Sequence, residues 1–432
     1  MTDSADPETL PKQKRSLIQS LEIDTRLLGM VGALIIVAVV FNILTGGRFL
    51  TPRNVFNLTI QTASVAIMAT GMVFVIVTRH IDLSVGALLA TCSAIMAMLQ
   101  TNWLVGQMGL ELGDPGLAWL AILGGLIAGT VIGAFNGWLI GYLTIPAFIV
   151  TLGGLLVWRN VSWYLTSGQT IGPLNETFQA FGGISGTLGA GPSWALGLIA
   201  SALAIYALFN ARRSKIRHEF PVKPAWAEVS VGAIVVAGIM GLIWMLNSYE
   251  IPSRVLERRF QAQGLTLPEG YTEAYGLPIS VLLLIAVAII MTVVARKTRL
   301  GRYIFASGGN PDAAELSGIN TRMLTVKVFA LMGFLCALSA VVAAARLTNH
   351  TNDIGTLDEL RVIAAAVIGG TALAGGIGTI YGAILGALIM QSLQSGMAMV
   401  GVDAPLQNII VGSVLVLAVL VDIIYRKKTG AK

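Results

Sequence analysis

The chain has 432 residues, of which 55% are apolar and 12% charged, about half the charged share of an ordinary soluble domain. Too few charges remain to cover a water-soluble surface, which excludes a soluble globular enzyme. The formal charge of +6 does not mark a nucleic-acid binder, because the lysines and arginines gather between apolar runs, as membrane topology demands.

A bilayer core about 30 Å thick takes roughly 20 apolar residues in helical form, and runs of that kind recur along the chain. After a polar stretch over 1–26, candidate spans fall at 27–44, 58–77, 83–99, 117–140, 145–165, 194–209, 229–246, 277–295, 324–345, 362–373, 377–399 and 406–424. Backbone polar groups cannot stay unpaired in lipid, so these runs read as helices, whereas a β-barrel would show alternating segments of about 10 residues. The expected fold class is an all-α polytopic membrane protein with 10–12 crossings. The run at 27–44 is longer than a signal-peptide core, lacks a cleavage site and reads as a retained span. The run at 362–373 is short, which suggests a broken or re-entrant helix.

Counted with the N-terminus inside, 19 of the 28 lysines and arginines fall on inner segments and eight on outer ones. That excess follows the positive-inside rule and places both termini in the cytoplasm. The tails at 1–26 and 425–432 and the loops at 210–228 and 296–322 are then cytoplasmic, and the loop at 247–276 lies outside.

The stretch "TRHIDLSVG" (78–86) sets polar residues against the front of an apolar run. Arg79 and His80 suit an inner interface, and Asp82 can cap the amides of the following helix. A second reading, in which Asp82 and Ser84 line a polar pathway, stays open. "GTVIGAFNG" (129–137) and "GAILGALIM" (382–390) share glycines four apart followed by alanine, a helix-packing pattern and a weak hint of duplication.

Every aspartate and glutamate falls in a loop or near a span end, so the sequence offers no coupling carboxylate of the kind ion-driven carriers keep at membrane depth. Lys327 stands about one turn into its span and can snorkel back to the surface. His80, His218 and His350 stand on separate loops, and Cys92 and Cys336 lie inside apolar runs, so no catalytic or metal-ligating constellation forms. "VIGGTALAGGIG" (367–378) is glycine-rich without the GK[ST] ending of a phosphate loop.

In "GRYIFASGGNPDAAELSGIN" (301–320), Asn310 is a good N-cap, Pro311 fits the first helical position and Gly318 fits a left-handed helix end. These signals predict a helix of about two turns on the cytoplasmic surface, either a docking handle or a solvated connector.

The segments "IDLSVG" (81–86), "NGWLI" (136–140), "IPAFIVTLGGL" (145–155), "ASGGNPDAAELSGIN" (306–320) and "AAAVIGGTALAGGIGT" (364–379) resemble, in order, the permease subunits of bacterial ATP-binding-cassette importers for monosaccharides. The extra spans around 229–295 resemble the longer plan of the xylose-type members. The resemblance implies a permease fold over 27–424, present in two copies in the bacterial inner membrane. It also implies a separate ATPase subunit that carries ATP and Mg, with no cofactor in this chain, and a periplasmic sugar-binding protein above. Gly308, Gly309, Asn310, Pro311, Ala313, Ala314, Glu315 and Gly318 would form the element that couples to the ATPase. Asp82, Ser84, Asn136, Thr151, Asn160 and Gln391 are the candidates for the path of a neutral sugar, which needs hydroxyls and amides. The competing expectation is an ion-coupled secondary transporter for a small polar solute; a channel is disfavoured because no ring of polar residues repeats.

Overall fold

The computed structural model describes residues 25–262 and 264–429. The polar stretch at 1–24 and the end of the tail at 430–432 lie outside the described residues. Within them the helices are α1 (Thr25–Leu44), α2 (Pro52–Val77), α3 (Val85–Met98, prolonged through a π turn to residue 108), α4 (Pro115–Gly141), α5 (Ala147–Thr166), α6 (Ala190–Arg217), α7 (Ala225–Asn247) and α8 (Ser253–Ala262). They continue as α9 (Ile279–Lys297), α10 (Arg299–Gly309), α11 (Pro311–Leu316), α12 (Thr321–Leu347), α13 (Asp358–Ile368), α14 (Ile380–Met399) and α15 (Ala404–Thr429). Ten of the helices among the described residues are long and apolar enough to cross a bilayer.

The two innermost helices are α2 and α12, whose apolar windows are 89% and 78% buried, against 11% for α1, α6 and α7. Both inner helices bury apolar side chains on most of their surface, the pattern of a helix surrounded by others. Ile36, Val131, Leu156 and Ile289 stand more than half exposed on outer helices, where lipid rather than water is the apolar solvent.

A row of glycines sets how closely α4 meets α12. Gly125, Gly129, Gly133, Gly137 and Gly141 recur every fourth residue, so they share one face. A Cβ on Gly133 would overlap the carbonyl oxygen of Phe329 and come within 3.0 Å of the Gly333 Cα, and one on Gly333 would overlap the Gly129 oxygen. Gly382 and Gly386 of α14 do the same against Gly369 and Ala365 at α13. The two glycine motifs of the sequence are thus places where helix backbones touch.

They also belong to a succession that occurs twice. After α2 the chain passes Thr78, reverses at Arg79 (φ +65°), runs without regular structure from His80 to Ser84, and starts α3 already buried, with glycine-spaced α4 following. After α12 it reverses at Thr348 (φ +61°), passes His350, and starts α13 buried, with glycine-spaced α14 following. The two successions cross the bundle in opposite directions. At 11 residues, α13 is about 16 Å long, so the short run at 362–373 is a half-helix and the chain turns back through residues 369–379.

Three soluble segments differ from their expectation as loops. The stretch at 210–228 begins as two further turns of α6, whose Lys215 and Arg217 stand in its last turn, a favourable end for cations. The Arg212 guanidinium there pairs with Glu228. The stretch at 247–276 contains α8, which buries Leu256 against Phe56, Ile60, Leu246 and Tyr275. The stretch at 296–322 contains α10 before the predicted α11, begun by the Thr298 hydroxyl accepting from the Gly301 amide at 3.2 Å.

Candidate translocation site

A polar cavity of about 650 Å³ lies between α2, α12 and α14, at the end of the bundle opposite α11. Its volume falls within the ordinary range for small-molecule sites, about 300–1,000 Å³. Gln61 and Ser64 stand one turn apart on α2, and Gln391, Gln394 and Ser395 share a face of α14. The Gln391 amide donates to the Gln61 carbonyl oxygen at 2.8 Å, and the Ser395 hydroxyl donates to Asn54 at 3.4 Å. Below them the Ser64 and Ser339 hydroxyls meet at 2.8 Å, tying α2 to α12.

The floor is the run of turns before α13, and charge lines it. Arg346, Asp353, Asp358 and Arg361 line it, with Arg361 donating to Asp358 at 2.8 Å. Asp358 and Glu359 are each only 8% exposed in the first turn of α13, where negative charge suits the helix dipole. They stand just before the short run at 362–373, near a span end as the sequence reading placed its acidic residues, but buried within the bundle. The sequence signal was "DELR" at 358–361, a charged turn directly before an apolar run too short to cross. Arg159 of α5 holds the same segment from behind, donating to the carbonyls of Asn352 at 3.0 Å and Ile354 at 2.6 Å.

Of the six path candidates, Gln391 forms the cavity wall. Asp82 and Ser84 lie beneath the floor, fully enclosed, and use their polar atoms on each other. The Asp82 carboxylate accepts from the Ser84 amide at 2.8 Å and from its hydroxyl at 2.6 Å. Asp82 therefore closes the turn that leads into α3 rather than capping the helix's own amides. Thr151 joins them, its hydroxyl donating to the Ile81 carbonyl at 3.3 Å. Asn136 is buried on α4 with its amide nitrogen unpartnered, and Asn160 faces outward on α5, donating to its own helix at Leu156. Neither of these two lines the cavity, because α4 packs against α12 and α3, and α5 against α3, rather than against α2.

At the other end the α11 signals fold as read. The Asn310 side chain accepts from the Ala313 amide at 3.0 Å, Pro311 is the first helical residue, and Ala314 is buried beneath. Gly318 takes φ +83° and donates its amide to the Glu315 carbonyl at 2.9 Å. Leu316 at the end of the helix is 90% exposed. Gly308 and Gly309 close α10 just before it.

Residues 54–419 match the family model described as the permease component of the branched-chain amino acid transport system. The chain belongs to this permease family. The permease is 34% identical to the xylose transport system permease protein of Haemophilus influenzae over 403 residues, covering 92% of this chain and 96% of that one. It is 35% identical to the xylose transport system permease protein of Escherichia coli K12, covering 91% and 90%. To the ribose import permease protein of Escherichia coli K12 the identity is 32%, covering 91% and 92%. No solved structure matches the permease.

Proposed function

We propose that this permease is the membrane-spanning subunit of an ATP-driven, binding-protein-dependent monosaccharide importer of the bacterial inner membrane, with xylose as its sugar. The observation that carries the reading is the similarity to xylose permeases along nine-tenths or more of both chains. The chemistry of the cavity agrees with it. Gln61, Gln391 and Gln394 with Ser64 and Ser395 offer amides and hydroxyls, which suit a neutral polyol without demanding its charge.

In this reading both termini and α11 face the cytoplasm, two copies pair in the lipid bilayer, and a periplasmic sugar-binding protein delivers the sugar at the cavity mouth. A separate ATPase subunit binds ATP and Mg, and α11 seats in it as the coupling helix, with Leu316 as its apolar contact. No nucleic acid takes part. Closure of the ATPase on nucleotide moves α11, and the bundle shifts between two arrangements for which the ATP-bound and free subunits have different affinities.

The buried Asp358 and Glu359 favour a second reading, an ion-coupled carrier, although Asp358 is already paired with Arg361. Labelled xylose uptake into proteoliposomes holding this chain, its ATPase and its binding protein separates the two. Uptake that needs ATP and both partners is the expected outcome. Uptake by this chain alone on a proton or sodium gradient would replace the importer with the carrier. Replacing Asn310 by alanine, which removes a cap worth about 1 kcal/mol, is expected to cut ATP-driven uptake while leaving the amount of inserted permease unchanged.

A further inference from the structure

Three backbones meet at the α11 end of the bundle. Val77 closes α2, Gly308 and Gly309 close α10, and Gly375 and Gly376 lie in the segment after α13. The Gly376 amide donates to the Val77 carbonyl at 3.0 Å. A Cβ on Gly308 would overlap that same carbonyl oxygen, so only glycine lets the α10–α11 turn sit this close to the end of α2.

Arg79 clasps the junction. Its backbone takes the left-handed conformation, φ +65°, which is uncommon for a residue with a Cβ, and its side chain reaches across to α10. Its Nε donates to the Gly308 carbonyl and its Nη2 to the Gly309 carbonyl, both at 2.8 Å. These are the last carbonyls of α10, which lack helical partners and form the negative end of the helix dipole. A guanidinium on two such acceptors makes charge-assisted bonds, stronger than neutral ones.

The residues that follow Arg79 lead to the cavity floor. Ile81 is held by Thr151, Asp82 by Ser84, and Gly86 lies so close to Gly355 that a Cβ would overlap its carbonyl oxygen. Gly355 and Asp358 line the cavity. One short stretch of chain, 79–86, therefore grips the end of α10, just before α11, at its start and touches the floor at its end.

We propose that Arg79 is a positioning residue of transport: it latches the α10–α11 turn to residues 80–86, so that a displacement of α11 reaches the cavity floor at Gly355. The proposal rests on α11 being the ATPase-coupling helix. An arginine that only capped α10 would affect how much permease assembles; a latch governs how much sugar moves per ATP hydrolysed.

The test measures labelled xylose uptake and ATP hydrolysis together in proteoliposomes holding permease, ATPase and binding protein, for wild type, Arg79→Gln and Arg79→Lys. The expected result is a ratio of sugar moved to ATP hydrolysed about tenfold lower in Arg79→Gln, within the usual span of coupling energies, with hydrolysis continuing. Arg79→Lys, which keeps the charge but not the fork of two donors, is expected to fall between. If Arg79→Gln does not assemble, the lysine variant carries the comparison alone. Wild-type ratios in whichever variants assemble would overturn the latch. Wild-type vesicles that hydrolyse ATP without uptake would overturn the importer reading before any variant is compared.

Discussion

The imidazole of His350 is fully enclosed, with Nδ1 2.9 Å from the Ser93 hydroxyl and Nε2 3.4 Å from the Ser162 hydroxyl. Burial, reinforced by the nearby Arg159 charge, pushes its pKa down to about 4, so it is neutral at physiological pH. In the unfolded chain the same ring titrates near 6.5, and below that pH the unfolded state takes up the proton first. His350 therefore contributes stability that is present above about pH 6.5 and is lost as the pH falls toward 4. Thermal unfolding of the detergent-solubilised permease is expected to weaken between pH 7 and pH 4 more steeply in wild type than in His350→Gln. Parallel slopes would show that this ring is not the group responsible. As a lone loop histidine in the sequence, His350 gave no sign of this, because its partners lie 257 and 188 residues away. The Asp82–Ser84 pair is closer to hand, two residues apart, yet the motif read as a helix cap, because a carboxylate just before a helix can serve either the first-turn amides or its own turn.

Among the elements, the α4–α12 contact has the least room for error. Gly133→Ala and Gly333→Ala each force a methyl into the facing backbone, and overpacking of that kind costs about 1–3 kcal/mol. Gly153→Ala, on α5 with open space around it, is the matched control. Thermal unfolding in detergent should fall for the first two and hold for the third; an equal response would mean that the helices separate freely at this crossing. The four-residue glycine spacing and the span limits were legible in the sequence because both follow from one-dimensional patterns of size and hydropathy. What was not legible lies where charge and helix coincide. The short helices α8, with Arg254, Arg258 and Arg259, and α10, with Arg299 and Arg302, read as loops by hydropathy, and the DELR turn of α13 read as a loop end until the fold placed it against the cavity. Asn136 and Asn160 were chosen as polar residues within spans, but hydropathy does not say which neighbour a helix face meets: Asn136 is buried away from the cavity and Asn160 faces outward.

At the scale of the whole molecule, α6, α7 and α8 form a unit whose two ends meet. Gly189 pairs with Gly276, the Leu188 amide donates to the Leu277 carbonyl at 3.1 Å, and the Leu277 amide donates to the Ser193 hydroxyl at 2.8 Å. The shortened permease in which two glycines replace residues 190–275 is expected to insert and to retain xylose uptake. Its thermal midpoint should drop, since Phe56 and Ile60 lose Leu246, Leu256 and Tyr275 as neighbours. Loss of a monodisperse protein on size-exclusion chromatography would show instead that this unit is part of the core. The Arg159 contact raises a different matter, the order of synthesis. The carbonyls that receive its guanidinium are 193 and 195 residues further along the chain, which at about 5–20 residues per second amounts to roughly 10–40 s of translation. During that interval a charged α5 waits beside the ribosome's membrane channel with its partners not yet made. Only when the chain has turned at Thr348 and laid Asn352 and Ile354 behind the cavity does the helix settle, so this charge is answered late in assembly.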